Sequence, residues 1–342
     1  MHTRMMATMA AALLAACGTV TADVFNMGSG LTSLDTVPVG NAGNAPDTRY
    51  NPTGYGGIGY TYNVGKYEVT AGQYTEFLNA VAATDSYGLY SPLMANPTVT
   101  NGANIQRSGS SGSYTYSVLA DWANRPVNYV SWGDAARFAN WLHNGQPEGF
   151  QGLFTTEDGS YFLNGATSNA ALLAVTRKPG ATWVIPTKDE WHKSAYHQND
   201  GVTGNYWDYP TGTNTFPGNG NPGGDTGNSA NFYDAGYTIG NPYYRTEVGF
   251  FGLSDSPYGT FDQGGNIWEW TEEVILESYR GLQGGAYAYN YGNLHAASGQ
   301  GYVPTNEIDG FGFRVAMVPE PATLGLLTFG GLVLLQRRRT LR

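Results

Sequence analysis

Oxygen-bearing side chains cluster in two neighbouring stretches, "NSANFYDAGYTIGNPYY" (228–244) and "FDQGGNIWEW" (261–270). Ca²⁺ binds about six to eight oxygens and accepts backbone carbonyls, which loops supply readily. Two adjacent glycines, at 264 and 265, give the backbone the freedom to fold around an ion. The residue types therefore indicate calcium, although Asn and Asp also cap ordinary turns. The candidate donors are Asn231, Asp234, Asn241, Asp262, Asn266 and Glu269.

Other metal and nucleophile chemistry finds little support in the spacing of the residues. His192 and His197 are five apart and share a helix face poorly, and no H-E-x-x-H motif occurs. We interpret these two, with His143 and His295, as surface or helix-capping residues. No G-x-S-x-G elbow is present either, although a triad assembled only in space stays open.

An aromatic run, "GGAYAYNYGNLHAASG" (284–299), occupies a loop-like position after the Trp-rich segment. Trp268 and Trp270 flank Glu269, so both indoles share one face of an extended chain. They form either a core or a stacking floor for a ligand. The residues that could line a ligand groove are Trp268, Tyr287, Tyr289, Tyr291 and His295.

Composition limits the class of protein. The chain has 342 residues, with 48 Gly, 25 Tyr and only 13% charged residues, which is typical of a folded, turn-rich protein. The formal charge is −10 and no basic patch suits a phosphate backbone, which argues against nucleic-acid binding. An acidic, aromatic surface favours cations, carbohydrates or proteins. The one cysteine, Cys17, allows no intramolecular disulfide and no thiolate metal cage.

Both ends of the chain have the features of targeting signals. Residues 1–22 combine Arg4, a short apolar run and an A-x-A-like site, as in a secretory signal peptide. "LAAC" (14–17) alternatively resembles a lipoprotein box that would leave an acylated Cys17. Residues 318–342 contain "VPEP", a charge-free run from Ala322 to Gln336 and three arginines. This run is shorter than the roughly 20 residues that cross a bilayer comfortably, and the arginines would stay on the cytoplasmic side.

Three helix starts are visible between these ends. Thr70 with Gln73, and Thr187 with Glu190, form capping boxes, and Ser131 caps a third helix. Apolar stripes follow at helical spacing: Tyr74, Phe77, Leu78 and Val81; Ala135, Phe138, Ala139 and Leu142; Trp191 and Ala195. We expect an α+β protein of two to three helices, short strands and long loops. Residues 23–50 would be an edge strand and linker, and 51–317 one domain. Two low-complexity stretches, 101–117 and 209–228, are expected as surface loops.

The motif order resembles the formylglycine-generating enzyme, or sulfatase-modifying factor, domain. The motifs are "VGKYEVTAGQYTEFLNAV", "RPVNYVSWGDAARFANWL", "VIPTKDEWHKSAY", "GNIWEW", "GGAY" and "GFGFRV". The resemblance implies a variant of the C-type-lectin-like fold with little regular secondary structure. The C-terminal segment resembles a PEP-CTERM sorting signal, which implies an exosortase-type protease as partner and delivery to the cell envelope or extracellular matrix.

The resemblance also implies two calcium sites. One would use the side chains of Asp262 and Glu269 with the carbonyls of Gly265 and Ile267. The other would use Asn231 and the Phe232 carbonyl, with Asn241 and Tyr243, or else Asp234, completing it.

Enzymes of this family oxidise a substrate cysteine with two copper-binding cysteines. The matching positions here are Tyr289 and Leu294, and the family serine is Ala286. Because thiolates bind Cu(I), we expect no catalytic residue of the family type and no copper, and the histidine spacing argues against iron.

The favoured hypothesis is an exported, non-catalytic, calcium-stabilised binding or matrix protein whose ligand is a glycan or an envelope protein. The alternative is a metal-dependent oxidoreductase that uses residues other than cysteine. The C-terminal segment would hold the protein at a membrane until processing.

Overall fold

The computed structural model describes residues 34–220 and 223–319. The predicted signal peptide, Cys17 and the charge-free C-terminal run lie outside these residues. Within them, no helix has both the length and the apolar character needed to span a bilayer.

Five α-helices and ten short strands lie within the described residues. The helices are α1 (Ala71–Val81), α2 (Ala120–Ala123), α3 (Trp132–His143), α4 (Asn169–Ala174) and α5 (Lys188–Tyr196). Single 3₁₀ turns occupy Pro92–Ala95 and Tyr291–Leu294. The predicted α+β class with low regular structure is confirmed, and the three predicted helices are the three longest. The short α2 and α4 were not predicted, because four and six residues carry too little periodicity to detect.

The strands form two four-stranded sheets and a hairpin. The strands are β1 (Thr36–Val39), β2 (Tyr62–Gly65), β3 (Ile105–Ser108), β4 (Thr115–Val118), β5 (Trp183–Val184), β6 (Trp268–Ile275), β7 (Tyr279–Gln283), β8 (Gln300–Tyr302), β9 (Phe311–Gly312) and β10 (Ala316–Met317). The first sheet has the order β1-β2-β10-β5 and is antiparallel throughout. The second has the order β8-β7-β6-β9, and only its β6–β9 pair is parallel. Strand β1 lies at a sheet edge, so residues 36–39 pack as part of the fold.

The predicted helix starts are confirmed in detail. The hydroxyls of Thr70, Ser131 and Thr187 each accept a hydrogen bond from the backbone N–H three residues later. In all three cases the side chain at that third position bonds back to the backbone N–H of the capping residue, so each is a full capping box. Every residue of the three predicted apolar stripes is buried. Local chemistry therefore decides where these helices begin and which face they bury.

The first low-complexity stretch differs from the prediction. Residues 101–117 contain β3 and most of β4, which pair in register from Ile105 opposite Val118 to Ser108 opposite Thr115. Ile105 and Tyr116 are buried in the core, and the partly buried Tyr114 and Val118 pack against it. The Gly- and Ser-rich turn between the strands concealed this alternation in the sequence. The described residues of 209–228 form no strand beyond isolated bridges, as expected of a loop.

Aromatic rings from distant segments form the centre of the core. Tyr74 and Phe77 of α1 contact Phe138 of α3, and Phe313 packs edge-on against Phe138 at 5.3 Å between ring centroids. Such edge-to-face pairs add about 0.5–1.5 kcal/mol beyond area burial. Phe313 lies just before β10, which is a central strand, so the last described residues complete the core.

The capping box of α1 allows a test of how much its hydrogen bond contributes to stability. Thr70→Ala removes the hydroxyl that accepts from the Gln73 N–H, and we expect a loss of about 1–2 kcal/mol in the free energy of unfolding. Thr70→Ser keeps the oxygen and should retain most of that stability. Urea denaturation followed by circular dichroism measures both values, and equal losses in the two variants would contradict the role of the cap.

Candidate functional site

Two glycine pairs join the Trp-rich segment to the aromatic run. The Gly265 N–H donates to the Gly284 carbonyl at 2.8 Å, and the Tyr287 N–H donates to the Asn266 carbonyl at 3.2 Å. Both glycines have positive φ, +90° for Gly265 and +94° for Gly284. A Cβ on Gly265 would lie 2.2 Å from the Asn231 carbonyl oxygen, and one on Gly284 would lie 2.7 Å from the Gln263 carbonyl oxygen. Only glycine permits this approach of backbones.

A fully buried ion pair lies beneath this junction. Glu269 of β6 receives hydrogen bonds from Arg314 Nε at 2.5 Å and Nη2 at 2.7 Å, and both side chains are inaccessible to solvent. Trp191 of α5 donates its indole N–H to the same carboxylate at 2.7 Å. The remaining Arg314 donors reach the carbonyls of Gly65 and Phe261, each at 2.9 Å. Bidentate geometry and additional partners are what a buried pair needs to offset its desolvation.

Two further carboxyl groups share this environment. Glu68 is buried and neither of its carboxylate oxygens has a hydrogen-bond partner. Burial, with the neighbouring Asp262 charge, raises the pKa of Glu68 well above its usual range. Burial also raises the pKa of Asp262 to about 6, against the opposing hydrogen bond from the Gly249 N–H and the charge of Arg314. With Glu269 and Arg314 included, the cluster would carry a net charge of −2 if every group ionised.

Asp262 also lines a small polar cavity. The cavity measures ≈ 10 Å³ and its wall includes Ser229, Thr260, Gln263 and Gly264. That volume is close to the room needed for a single water-sized occupant. Asp262 and Asn266 have positive φ, as does Gly265 between them, so the backbone curls tightly here. The predicted first calcium set therefore lies in one curled segment, but the Glu269 carboxylate is engaged with Arg314.

The second predicted calcium set is brought together in part. Asn231 pairs with Gly265 as a β-bridge, so the two sets adjoin. The buried Asn231 Oδ1 has no hydrogen-bond partner, whereas its Nδ2 donates to the Tyr244 carbonyl at 2.9 Å. The predicted partners fit less well, since Asn241 is exposed and the Tyr243 carbonyl accepts from the Arg245 N–H. Phe232 is buried, and Asp234, the alternative partner, is exposed.

The aromatic residues divide into a buried and an exposed group. Trp268 and Tyr287 are buried, and Trp270 donates its indole N–H to the Val130 carbonyl, so the two tryptophans belong to the core. Tyr287 donates its hydroxyl to Asp309 at 2.8 Å. Tyr289 packs edge-on over Trp268 at 5.5 Å between centroids and is exposed. A ligand at this face would therefore contact Tyr289 and not Trp268.

Two groups of neighbouring rings form what we call the aromatic surface: Tyr50, Phe216, Tyr291 and His295, with the buried Tyr209. Tyr291 stacks on Phe216 with centroids 4.7 Å apart and planes inclined by 27°. His295 lies between Tyr50 at 5.0 Å and Tyr209 at 5.3 Å, both edge-on. Tyr50, Phe216 and Tyr291 are each about half exposed, whereas Tyr209 is almost fully buried beneath them.

Polar groups border the aromatic surface on one side. Asp208 accepts hydrogen bonds from Arg49 Nη1 at 2.7 Å and the Tyr50 hydroxyl at 2.8 Å. Its second oxygen lies 4.0 Å from His295 Nε2. The aromatic surface thus combines exposed ring faces with a fixed carboxylate and a guanidinium.

Sequence reasoning missed several of these residues. Arg49, Tyr50 and Asp208 lie far from His295 in the chain, and no local pattern links them. Phe216 lies inside the stretch taken as a low-complexity loop. Glu68 gave no signal, because glutamate is rarely buried and its neighbours in the chain, Tyr67 and Val69, do not indicate its partners.

The remaining histidines correct one expectation. His192 lies buried in the middle of α5, so its interpretation as a surface or capping residue is wrong, because α5 packs this face against the N-terminal segment; His197 is also buried, but it is the C-cap of α5. His192 Nε2 lies 3.2 Å from Asp47 Oδ2, and His197 Nδ1 lies 2.8 Å from the Tyr258 hydroxyl. His143 contacts Thr182 at 2.7 Å. Among residues 34–220 and 223–319, no three His, Cys, Asp or Glu side chains converge in a way that could hold a metal.

Comparison with known proteins identifies the domain. The model of the sulfatase-modifying factor enzyme 1-like domain matches residues 30–318. The chain belongs to this family. No curated protein sequence matches the chain significantly.

Several solved structures are similar to this family member. Treponema denticola variable protein 1 superposes with a TM-score of 0.51 at 18% identity, covering 86% of this chain and 98% of that one. CarF superposes with a TM-score of 0.49 at 19% identity over 84% and 98% of the two chains. PvdO from Pseudomonas aeruginosa gives a TM-score of 0.47 at 16% identity over 86% and 98%.

The positions expected to hold copper-binding cysteines in this family differ sharply in their surroundings. Tyr289 is exposed over Trp268, whereas Leu294 is fully buried against Tyr209, Ala230 and Phe232. Neither side chain provides a thiolate. Ala286, at the expected serine position, is buried.

The Glu269–Arg314 pair provides a second test. Arg314→Met leaves the Glu269 carboxylate buried without its cation, and we expect a loss of about 3–5 kcal/mol in the free energy of unfolding. The matched control is Lys178→Gln, which breaks the half-exposed Lys178–Asp158 pair and should cost less than about 1 kcal/mol. Chemical denaturation of both variants measures the difference, and similar losses would contradict a central role for the buried pair.

Proposed function

We propose that this protein is a non-catalytic, calcium-stabilised binding protein of the cell envelope whose aromatic surface binds carbohydrate. The observation that carries the proposal is the aromatic surface itself. Its Tyr291–Phe216 stack and its His295–Tyr50 pair lie beside the segment where enzymes of the family would hold copper.

Carbohydrate suits this surface on chemical grounds. A sugar ring presents a C–H face that packs on aromatic rings and hydroxyls that need hydrogen-bond partners. Exposed Tyr and Phe rings supply large, rigid contact area, and the paired Asp208 carboxylate and Arg49 guanidinium lie beside Tyr50. The formal charge of −10 further favours a neutral ligand over a polyanion.

The residue types at the expected copper-binding positions support a protein without the oxidation chemistry of the family. Copper-based oxidation of a substrate cysteine needs soft thiolate ligands, and Tyr289 and Leu294 cannot supply them. A tyrosine in the first position adds a ring to the exposed face, and a leucine in the second fills the core beneath it. The substitutions thus support a binding surface where the family places a reaction centre.

Calcium fits the charge of the cluster around Asp262. The unpartnered Glu68 oxygens and the excess of two negative charges are the features that a divalent cation would neutralise. Asp262, Glu68 and the carbonyls of Gly265 and Ile267 would hold the ion. Glu269 would contribute charge from its fixed position on Arg314. Beside Gly265, the unpartnered Asn231 Oδ1 offers an additional oxygen. Bound calcium would fix the Gly265–Gly284 junction and with it the segment that bears Tyr291 and His295.

The two terminal segments support the proposed location. A secretory signal at 1–22, or acylation of Cys17, would export the chain. The segment from 318 to 342 would hold it at the membrane until an exosortase-type protease removes the tail.

The aromatic surface gives a direct binding test. The purified protein is applied to a glycan array and to envelope polysaccharide. Tyr291→Ala and Phe216→Ala should each weaken binding about 3–10-fold, because each removes one ring of the stack. Tyr279→Ala, an exposed tyrosine of β7 outside the aromatic surface, should bind as the unchanged protein does.

Several outcomes would count against this function. Unchanged glycan binding in Tyr291→Ala and Phe216→Ala, or binding to envelope proteins alone, would reject the carbohydrate assignment. Oxidation of a cysteine-containing peptide by the metal-loaded protein would reject the non-catalytic assignment, and firmly held iron or copper at one ion per chain would point to the oxidoreductase alternative.

Calcium should change the dependence of stability on pH. Without calcium, the melting temperature should fall as pH rises from about 4 to 6, since the folded state holds the Asp262 proton more tightly than the unfolded state does. Glu68, whose pKa is also raised, extends this loss to higher pH. Bound calcium would take the place of the protons on Asp262 and Glu68, so it should remove most of this fall in melting temperature.

The Glu68→Gln variant should change the melting temperature in opposite directions with and without calcium. Differential scanning fluorimetry at pH 7 should show, without calcium, a higher melting temperature than that of the unchanged protein, because the folded state no longer has to protonate this buried carboxylate or bury its charge. With calcium the order should reverse. Glu277→Gln, on the exposed β6–β7 turn, serves as control, and a wild-type melting temperature insensitive to both calcium and chelator would refute the calcium assignment.

A further inference from the structure

One loop exposes an unusual number of large apolar side chains. Between 149 and 162, Phe150 is 73% exposed, Leu153 51%, Phe154 90% and Phe162 55%. We call this set the apolar loop. Single exposed apolar residues are common on soluble proteins, but a group concentrated in one short segment marks a contact surface.

The apolar loop is held in place by hydrogen bonds. Asn144, the C-cap of α3, donates its side-chain amide to the carbonyls of Thr155 at 3.0 Å and Asp158 at 2.8 Å. The Gly149 N–H donates to the Ala80 carbonyl at 2.9 Å, and the Thr155 hydroxyl donates to the Phe150 carbonyl at 2.7 Å. The exposure of these side chains is therefore imposed by the fold.

The described chain ends at the same end of the molecule. Val318, directly after β10, donates its N–H to the Thr182 carbonyl at 2.9 Å. The Thr182 hydroxyl contacts His143, the last residue of α3, and the apolar loop begins a few residues after that helix. Val318 and Pro319 line a cleft of ≈ 190 Å³ with Tyr60, Ala181, Arg177 and Lys178. Lys178 in turn pairs with Asp158 at 2.5 Å.

A short tether separates this cleft from the charge-free C-terminal run. Only Glu320 and Pro321 lie between Pro319 and Ala322. At about 3.3–3.6 Å per residue, the three steps from Pro319 to Ala322 span at most roughly 10 Å. If the run enters a bilayer, as the proposed envelope location requires, this end of the domain must lie against the lipid headgroups.

We propose that the apolar loop is a lipid-contacting surface that rests on the bilayer in which the C-terminal run is anchored. The inference rests on the proposed membrane anchoring and goes beyond it by naming the face of the domain that contacts lipid. Phe and Leu side chains insert at the boundary between headgroups and acyl chains, where their apolar area leaves water. The short tether brings lipid to this face on every anchored molecule, whereas a second protein would have to displace it.

Nitroxide labels on the full-length chain test the geometry. Cys17→Ser provides a cysteine-free background, into which Phe154→Cys, Leu253→Cys or Leu327→Cys is introduced, and each protein is reconstituted in phosphatidylethanolamine–phosphatidylglycerol vesicles. Electron paramagnetic resonance then compares collisions of the label with oxygen, which concentrates in lipid, and with a water-soluble nickel chelate.

Leu253 is the matched control. It is an exposed apolar residue, 70% accessible, in the loop that contains Gly249. The Gly249 N–H donates to Asp262, and the N–H of Phe261, next to Asp262, donates to the Lys66 carbonyl. Lys66 directly follows the C-terminal end of β2, whereas the chain leaves the domain beside the N-terminal end of β2. Leu327 lies in the C-terminal run and reports whether the run itself enters the bilayer.

The expected result is an oxygen-to-nickel collision ratio several-fold higher at position 154 than at 253, with 327 also in lipid. A water-like ratio at 154 with 327 in lipid would overturn the inference and leave the anchoring intact. A water-like ratio at 327 would overturn both. Dipolar broadening at 154 would assign the apolar loop to contact between copies of the chain and would equally reject lipid contact.

Discussion

The buried Glu269–Arg314 ion pair is the constraint on which the rest of the structure depends. Its partners come from β6, from the segment before β10, from α5 through Trp191 and from the end of β2 through Gly65. A guanidinium and a carboxylate without solvent tolerate little displacement, because each unmade hydrogen bond leaves a desolvated charge. The pair therefore fixes the two four-stranded sheets and α5 relative to one another, in a protein whose strands are mostly too short to do so alone.

This arrangement also links the candidate metal site to the candidate ligand surface. Asp262 and Glu68 share the environment of Arg314, and Gly265 on the same segment bonds to Gly284. The aromatic run starts at that glycine and continues to Tyr291 and His295. The segment that bears Asp262 is thus hydrogen-bonded to the start of the segment that presents the rings. An aromatic surface built on loops is thus held by hydrogen bonds to a buried cluster, without long strands.

The sequence was most informative where the physics is local. Thr70, Ser131 and Thr187 define their helices by bonds to residues three positions away, and the apolar stripes identify the buried faces. The α+β fold of the family could be predicted from these motifs and their order. The proximity of the Glu68 and Asp262 carboxyl groups, and the packing of Tyr50 on His295, could not, because each joins segments that only the folded chain brings together. The β3–β4 hairpin was not predicted because its Gly- and Ser-rich turn conceals the alternation that buries Ile105 and Tyr116.

The central position of β10 has a consequence for the order of folding. This strand pairs with both β2 and β5, and Arg314 lies two residues before it. A chain synthesised from its N-terminus lacks the middle of its first sheet and the counter-ion of Glu269 until nearly all of the described residues have been made. Helices and the β3–β4 hairpin can form early from local contacts, but closure of the domain waits for its final strand. Maturation of this domain is accordingly a late, all-or-none event, and even a short deletion ahead of Val318 would leave an open core exposed to chaperones and proteases.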